Sequence, residues 1–366
     1  MLREGEASAP HNEFLHSALL YGSDDEFVRV ATPFIEQGIA AEQPVLVAVP
    51  TPKVELLRSA LGGGVDGVSL LPAEEWFETS ARTREKLARW GRERETARAR
   101  VIGEPPWATG SEAQVRDWAR HEAVTNIAFE GMGVDFICAY DERVLPVEIL
   151  EHALHTHPAL AGPGGHSASD RYEEPDEFCR RLDSRIGTID GEPAAMLDVD
   201  LGELRRVRRL VSSMAGAVGI PGVRAEGLVL AVNEIAGNAV VHGSPPATLR
   251  IWSRDSEIVC EVSDHGAGID DPFAGQFIPP LGGIGGRGIW LARMLCDAVE
   301  IRNGDGCTVS IHAVAPGGTA AGRLDRPQEP GVDFAEAGGP AQRHRQVQLR
   351  QDRSQHHFHP VLTVEG

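Results

Sequence analysis

The first 160 residues alternate two hydrophobic patterns. Continuous apolar runs at 44–49 (PVLVAV) and 134–140 (VDFICAY) read as strands buried on both faces, with 97–102 as a third. Between them, residues 25–38, 53–61, 80–94, 113–129 and 146–155 carry helical spacing. The last opens on Pro146, whose missing N–H costs nothing at a first helical position. Strands alternating with helices predict an α/β domain with a mostly parallel sheet.

From residue 200 the pattern changes. Asp200 can cap a helix whose apolar stripe is Leu201, Leu204, Val207, Leu210, Val211, Met214 and Val218. A second helix at 224–242 is apolar nearly all round, as a buried helix is. Strands at 247–253 and 257–264 flank a turn at 254–256, a glycine-rich loop leads into a helix at 286–297, and strands at 298–302 and 308–314 close the domain. This half reads as α+β, helices on an antiparallel sheet.

Composition sets the boundaries. The stretch 161–170 (AGPGGHSASD) is linker-like, and a connecting helix ends near 186. Residues 316–366 have few large apolar side chains and repeated Gly and Pro, too little to offset the entropy of ordering. The expected divisions are therefore a domain at 12–160, a linker and connecting helix at 161–186, a second domain at 187–315 and a disordered tail at 316–366. His356, His357 and His359 in that tail read as a His-rich tract rather than a metal site. The chain carries 54 acidic against 35 basic residues, a formal net charge of −19. That balance argues against direct nucleic-acid binding and against anionic membrane surfaces. No apolar run is long enough to span a bilayer, and residues 1–14 lack a signal-peptide core. Five scattered cysteines without a CxxC pair suggest a reducing, cytoplasmic setting.

Glu234 and Asn238 interrupt the apolar helix at i, i+4, with His242 four residues on, so the three share one face. A carboxylate and an amide there are costly unless something satisfies them. The second strand of the following pair ends in Asp264-His-Gly-Ala-Gly268, where glycines let backbone approach a ligand. Gly282, Gly283, Gly285, Gly286 and Gly288 then lead into a helix N-terminus, an arrangement suited to phosphate. In the first half, Gly62-Gly-Gly-Val-Asp-Gly67 is no P-loop, and Lys53 and Lys86 are the chain's two lysines.

These three motifs in this order resemble the N, G1 and G2 boxes of the GHKL ATP-binding superfamily, which includes gyrase and the histidine kinases. Asn233-Glu-Ile-Ala-Gly-Asn-Ala-Val-Val-His-Gly243 and Gly285-Gly-Arg-Gly-Ile-Trp-Leu-Ala-Arg293 are most similar to the branch of anti-sigma factor serine/threonine kinases. The resemblance implies a Bergerat-type ATP-binding sandwich with Asp264 accepting from the adenine amino group. It implies Asn238 as the Mg²⁺ ligand, Glu234 as general base, and Gly266, Gly268, Gly286, Arg287 and Gly288 around the nucleotide. Thr308 would support the nucleotide from the last strand, although Cys307 stands where the family commonly has glycine.

His16-Ser-Ala-Leu-Leu-Tyr21, Asp24-Asp-Glu-Phe27 and the run at 44–49 resemble the opening of a MEDS sensory domain. Cys138-Ala-Tyr-Asp141, Leu145-Pro-Val-Glu-Ile-Leu150 and His155-Thr-His-Pro158 are similar to its close. That family is sensory and related in fold to RecA-like proteins. His16, Tyr21, His121 and Cys138 are the groups to examine for a ligand pocket, against the plainer reading of satisfied core residues. His121-Glu122 also opens like the phospho-acceptor box of a histidine kinase, but lacks the following Pro.

A MEDS domain joined to such an ATPase resembles the RsbA-type anti-sigma regulatory proteins. The expectation is an Mg·ATP-dependent serine/threonine kinase acting on an anti-anti-sigma (STAS-type) protein, or binding a sigma factor, and able to dimerise. Nucleotide-gated binding without phosphotransfer, or an atypical sensor histidine kinase, are the alternatives.

Overall fold

In the computed structural model, which describes residues 14–63, 67–93, 98–107, 110–254, 256–279 and 286–316, the continuous apolar runs become central strands of a seven-stranded sheet. This half runs β1 (Leu15–Tyr21), α1 (Asp24–Ala40), β2 (Val45–Val49), α2 (Thr51–Leu61), β3 (Val68–Pro72), α3 (Ala73–Trp76), α4 (Ser80–Arg92) and β4 (Ala99–Gly103). It continues with α5 (Glu112–Ala128), β5 (Val134–Asp141), α6 (Val147–Thr156), β6 (Ala159–Gly162), β7 (Gly165–Ala168) and α7 (Pro175–Asp183). The strand order is β3-β2-β4-β5-β1-β6-β7, parallel except for the β6–β7 hairpin. Every residue of β2 and β5 is buried because helices cover both faces. One core packs Leu19, Phe27, Ile35, Val47 and Leu57 under α1 and α2. On the other face, Ala18, Cys138, Tyr140, Trp118 and Ile149 pack under α5 and α6.

The stretch read as a linker differs. Residues 159–168 form the β6–β7 hairpin, with Gly165 at φ +103 after the turn. The same Gly-Pro-Gly-Gly composition suits a tight reversal as well as a linker. After it, α7 buries Phe178, Cys179 and Leu182 against Ala119 and Ala123 of α5.

The second half runs β8 (Ala195–Val199), α8 (Leu204–Ala217), α9 (Gly222–Val241), β9 (Ala247–Arg254), β10 (Glu257–Asp264), α10 (Arg287–Leu295), β11 (Ala298–Gly304) and β12 (Gly306–Val314). Its sheet is antiparallel in the order β11-β12-β10-β9-β8. The expected mostly parallel α/β half and antiparallel α+β half are both present. Asp200 caps a turn just ahead of α8, its Oδ1 accepting from the N–H of Gly202 (2.7 Å) and of Glu203 (3.1 Å). One core unites Val207 and Val211 of α8, Leu228, Val232 and Ile235 of α9, and Leu249, Ile258, Val262, Val309 and Ile311 of the sheet. Residues 317–366, with the tail histidines, lie outside the described residues, as do Gly282, Gly283 and Gly285.

Candidate functional site

Helix α9 is buried at Leu228, Ala231, Val232, Ile235, Ala236 and Ala239, while Glu234 and Asn238 are half-buried beside one another. The first turn of α10 rests directly on that pair. A Cβ at Gly288 would lie 2.7 Å from Asn238 Nδ2 and 3.5 Å from Glu234 Cβ. Gly286 opens α10 at φ +81, in the left-handed region where glycine carries no penalty. No acidic residue stands in that first turn, and the exposed Arg287 adds positive charge to its free N–H groups. His242 is exposed at the C-terminal cap of α9, its N–H donating to the Asn238 carbonyl (2.8 Å).

Asp264, half-buried, is the last residue of β10. Its Oδ1 accepts from the N–H of Gly266 at 2.7 Å, leaving the other oxygen without a donor among the described residues. Glycines crowd round it: a Cβ at Gly243 or Gly266 would come within 2.6 or 2.8 Å of Oδ1. Gly268, at φ +85, faces Asn303, a residue the motifs did not point to. Asn303 Oδ1 accepts from Ile269 N–H (3.0 Å) and its Nδ2 donates to the Ile269 carbonyl (2.8 Å), pinning the loop to β11. Such a bracket has no sequence signature, because it spans 34 residues.

The register corrects one expectation. Asp264 pairs with Cys307, and Thr308 pairs with Ser263. Cys307 lies in the core with Val309 and Ile311, so Thr308 turns to the other face of the sheet. Burial, with Asp264 adding to it, pushes the Cys307 thiol up to about 11, so a neutral thiol stands beside the carboxylate.

Residues 15–158 match the MEDS family, the methanogen/methylotroph DcmR sensory domain, and residues 197–312 match the histidine kinase-like ATPase domain. The chain is a MEDS domain fused to a histidine-kinase-like ATPase domain. No curated protein matches the chain. Among the described residues no helix is long and apolar enough to cross a membrane.

Of the four groups singled out in the MEDS domain, His16 and Cys138 meet, Nε2 to Sγ 3.4 Å. Tyr21 is elsewhere, at the C-terminal end of β1 with Lys53, Glu104 and Asp141. Lys53, 7% exposed, is buried between those carboxylates at 2.5 and 3.3 Å. His121 is buried between Trp118 and Arg84, whose Nη1 donates to His121 Nδ1 at 3.3 Å. Burial and that guanidinium hold the imidazole well below its ordinary range.

The MEDS domain reaches the segment between β10 and α10. Arg84 Nη2 donates to the Gln276 carbonyl (2.7 Å) and Oε1 (2.9 Å), and Arg120 Nη1 to the Pro272 carbonyl (2.7 Å). Phe273 packs on the α5–α7 core. From α10, the buried Arg293 pairs with Asp117 of α5 at 3.0 Å and donates to the Ala274 carbonyl (3.0 Å). A separate open groove of about 730 Å³ between α8 and α9, lined by Arg208, Ser212, Leu230 and Asn233, lies outside the Glu234–Asn238–Asp264 site.

Proposed function

We propose that the ATPase domain is a serine/threonine kinase whose substrate is an anti-anti-sigma (STAS-type) protein, that it also contacts a sigma factor, and that the MEDS domain controls it. The supporting observation is the convergence of α9, α10 and the end of β10 on one glycine-lined cradle. Gly288 lets α10 close on Asn238, and Gly243 and Gly266 let backbone close on Asp264, so the side chains and N–H groups that would hold a nucleotide stand together. Asp264 accepts from the adenine amino group through the oxygen that Gly266 leaves unused. Asn238 supplies the amide oxygen for Mg²⁺, and the N–H groups of Gly286, Arg287 and Gly288 receive the phosphates. Bound Mg·ATP supplies the phosphoryl group to be transferred and the cation that offsets its charge. Glu234, one turn before Asn238, accepts the proton of the incoming serine or threonine hydroxyl. The supporting role first given to Thr308 passes to Cys307, the residue in register with Asp264.

Control by the MEDS domain is supported by Arg84 and Arg120, which donate to the carbonyls of Gln276 and Pro272 in the chain entering the phosphate-side loop. The histidine-kinase alternative finds no support at His121, 6% exposed and engaged by Arg84.

Titration of Mg·ATP into the full chain tests the site. Wild type binds; Asp264→Asn abolishes binding, and Asn238→Ala removes its dependence on Mg²⁺. Glu234→Ala keeps the nucleotide yet no longer phosphorylates a STAS-type partner. Transfer by that variant at the wild-type rate would remove Glu234 from the mechanism. No binding by folded wild type would make the protein an adaptor.

A further inference from the structure

Four side chains from four elements meet in the core of the MEDS domain under α5 and α6: His16 of β1, Glu122 of α5, Cys138 of β5 and His157 at the C-terminal cap of α6. All are buried, the two histidines completely. Their ligating atoms lie within 4.8 Å of one another. Glu122 Oε2 is 3.3 Å from His16 Nε2, 3.6 Å from His157 Nε2 and 3.4 Å from Cys138 Sγ, and Sγ is 3.4 Å from His16 Nε2. Donors on a tetrahedral ion at about 2.0–2.3 Å stand roughly 3.3–3.8 Å apart, so these four edges already have the size of a coordination shell.

The protons point the same way. His16 Nδ1 donates to Asn126 Oδ1 (3.0 Å), and the orientation of that amide is fixed because its Nδ2 donates to the Thr156 carbonyl (2.8 Å). His157 Nδ1 donates to the Ala153 carbonyl (2.9 Å). Each imidazole therefore turns its Nε2 into the cluster, its outer nitrogen anchored as metal-bound histidines usually are. His157 Nε2 has no hydrogen-bond partner although fully buried. Two ring nitrogens, a carboxylate and a sulfur facing one another present more acceptors than the Cys138 thiol and the Tyr140 hydroxyl beside Glu122 can satisfy, an expensive arrangement in a core. A divalent cation satisfies all four at once, and a carboxylate with a thiolate cancels its charge.

We propose that His16, Glu122, Cys138 and His157 bind a divalent first-row transition-metal ion, zinc foremost, within the MEDS domain. Nitrogen and sulfur donors with one carboxylate suit zinc and disfavour magnesium or calcium. Four protein donors close the site, so the ion ties β1, α5, β5 and α6 together.

The test uses the untagged full chain purified without chelator. Elemental analysis should return about one zinc per chain, and replacement by Co²⁺ should give a thiolate-to-cobalt charge-transfer band. Cys138→Ser should lose that band, and His157→Gln should lower ion affinity at least tenfold. Wild-type protein that takes up none of Zn²⁺, Co²⁺, Ni²⁺ or Fe²⁺ would overturn the assignment. So would one ion retained equally by both folded variants, since it would then sit elsewhere. Should neither variant fold, the wild-type cobalt spectrum decides: a single-thiolate band supports the site, and its absence with bound cobalt refutes it.

Discussion

Gly288 is occupied by glycine because Asn238 lies against it. In the first turn of α10, alanine would ordinarily raise helix propensity by up to about 1 kcal/mol. Here its Cβ would stand 2.7 Å from Asn238 Nδ2, closer than side chains tolerate. The amide must rotate or α10 must lift, and either one disturbs the surface proposed for Mg²⁺. Gly288→Ala is therefore expected to weaken Mg·ATP binding by about tenfold or more while shifting thermal stability by no more than about 1 kcal/mol. Calorimetric titration beside a melting curve checks the pair of values. Equal loss in both would mean that the glycine serves packing alone. Residue 307 invites the companion comparison: if the proposed contact belongs beside Asp264, Cys307→Thr preserves binding better than Cys307→Leu, and Thr308→Ala is nearly silent.

At the scale of elements, strand β12 carries a charge network on the sheet face away from α9. His312 Nδ1 is 3.3 Å from Glu257 of β10, and its Nε2 is 3.4 Å from Glu300 of β11, which also accepts from Arg116 of α5 at 2.6 Å. Burial alone would lower the imidazole, but hydrogen bonds and charge from both carboxylates win and raise it to about 9. Glu300 moves down to about 2 because His312 and Arg116 outweigh its desolvation. The histidine thus stabilises the fold fully below its unfolded value near 6.5, and that contribution disappears as pH rises through 9. The glutamate contributes above about 4.5 and loses it as pH falls toward 2. Denaturant unfolding of wild type should therefore lose on the order of 3 kcal/mol between pH 6 and 10 from His312. His312→Gln should be less stable at pH 6 and lack that component; parallel pH profiles for the two proteins would refute the network.

None of this network was legible in the sequence, since it joins Glu257, Glu300 and His312 from three strands with Arg116 of α5. What was legible followed from strong periodicity: the continuous runs of β2 and β5, the stripe of α8 and the all-round apolar α9. The strands missed were those without such a signal. Among them β7 is GHSA and exposed throughout, β8 alternates weakly at the sheet edge, and β3 is only half-buried. Motif spacing put Glu234 and Asn238 one turn apart on α9 and Asp264 at the end of a strand, positions that local helix and strand geometry fixes. It could not give the register of the last strand, which sets Cys307 rather than Thr308 opposite Asp264. His157 and Glu122 could have been added to His16 and Cys138 only with the fold in hand.

At the scale of the whole molecule, α5 faces both ways. Its Glu122 enters the His16–Cys138–His157 cluster, while Asp117 and Arg120 of the same helix hold α10 and residue 272. Arg84 of α4 adds two hydrogen bonds to Gln276. The MEDS domain thereby holds the start of the segment that leads into the turn of α10 proposed to receive phosphate. Releasing that segment would oblige nucleotide binding to bear its ordering entropy. Arg84→Met keeps the buried aliphatic volume and removes the grip. It should lower Mg·ATP affinity about fivefold or more, a coupling of ordinary allosteric size. Loss of stability alone could mimic such a change, so the reciprocal effect is the sharper measurement. If ordering of 270–276 is shared, saturating Mg·ATP must protect α4 and α5 amides of the wild-type MEDS domain from hydrogen exchange, and Arg84→Met must erase that protection. Protection confined to α9, α10 and the end of β10 in both proteins would mean that the two domains touch without being coupled.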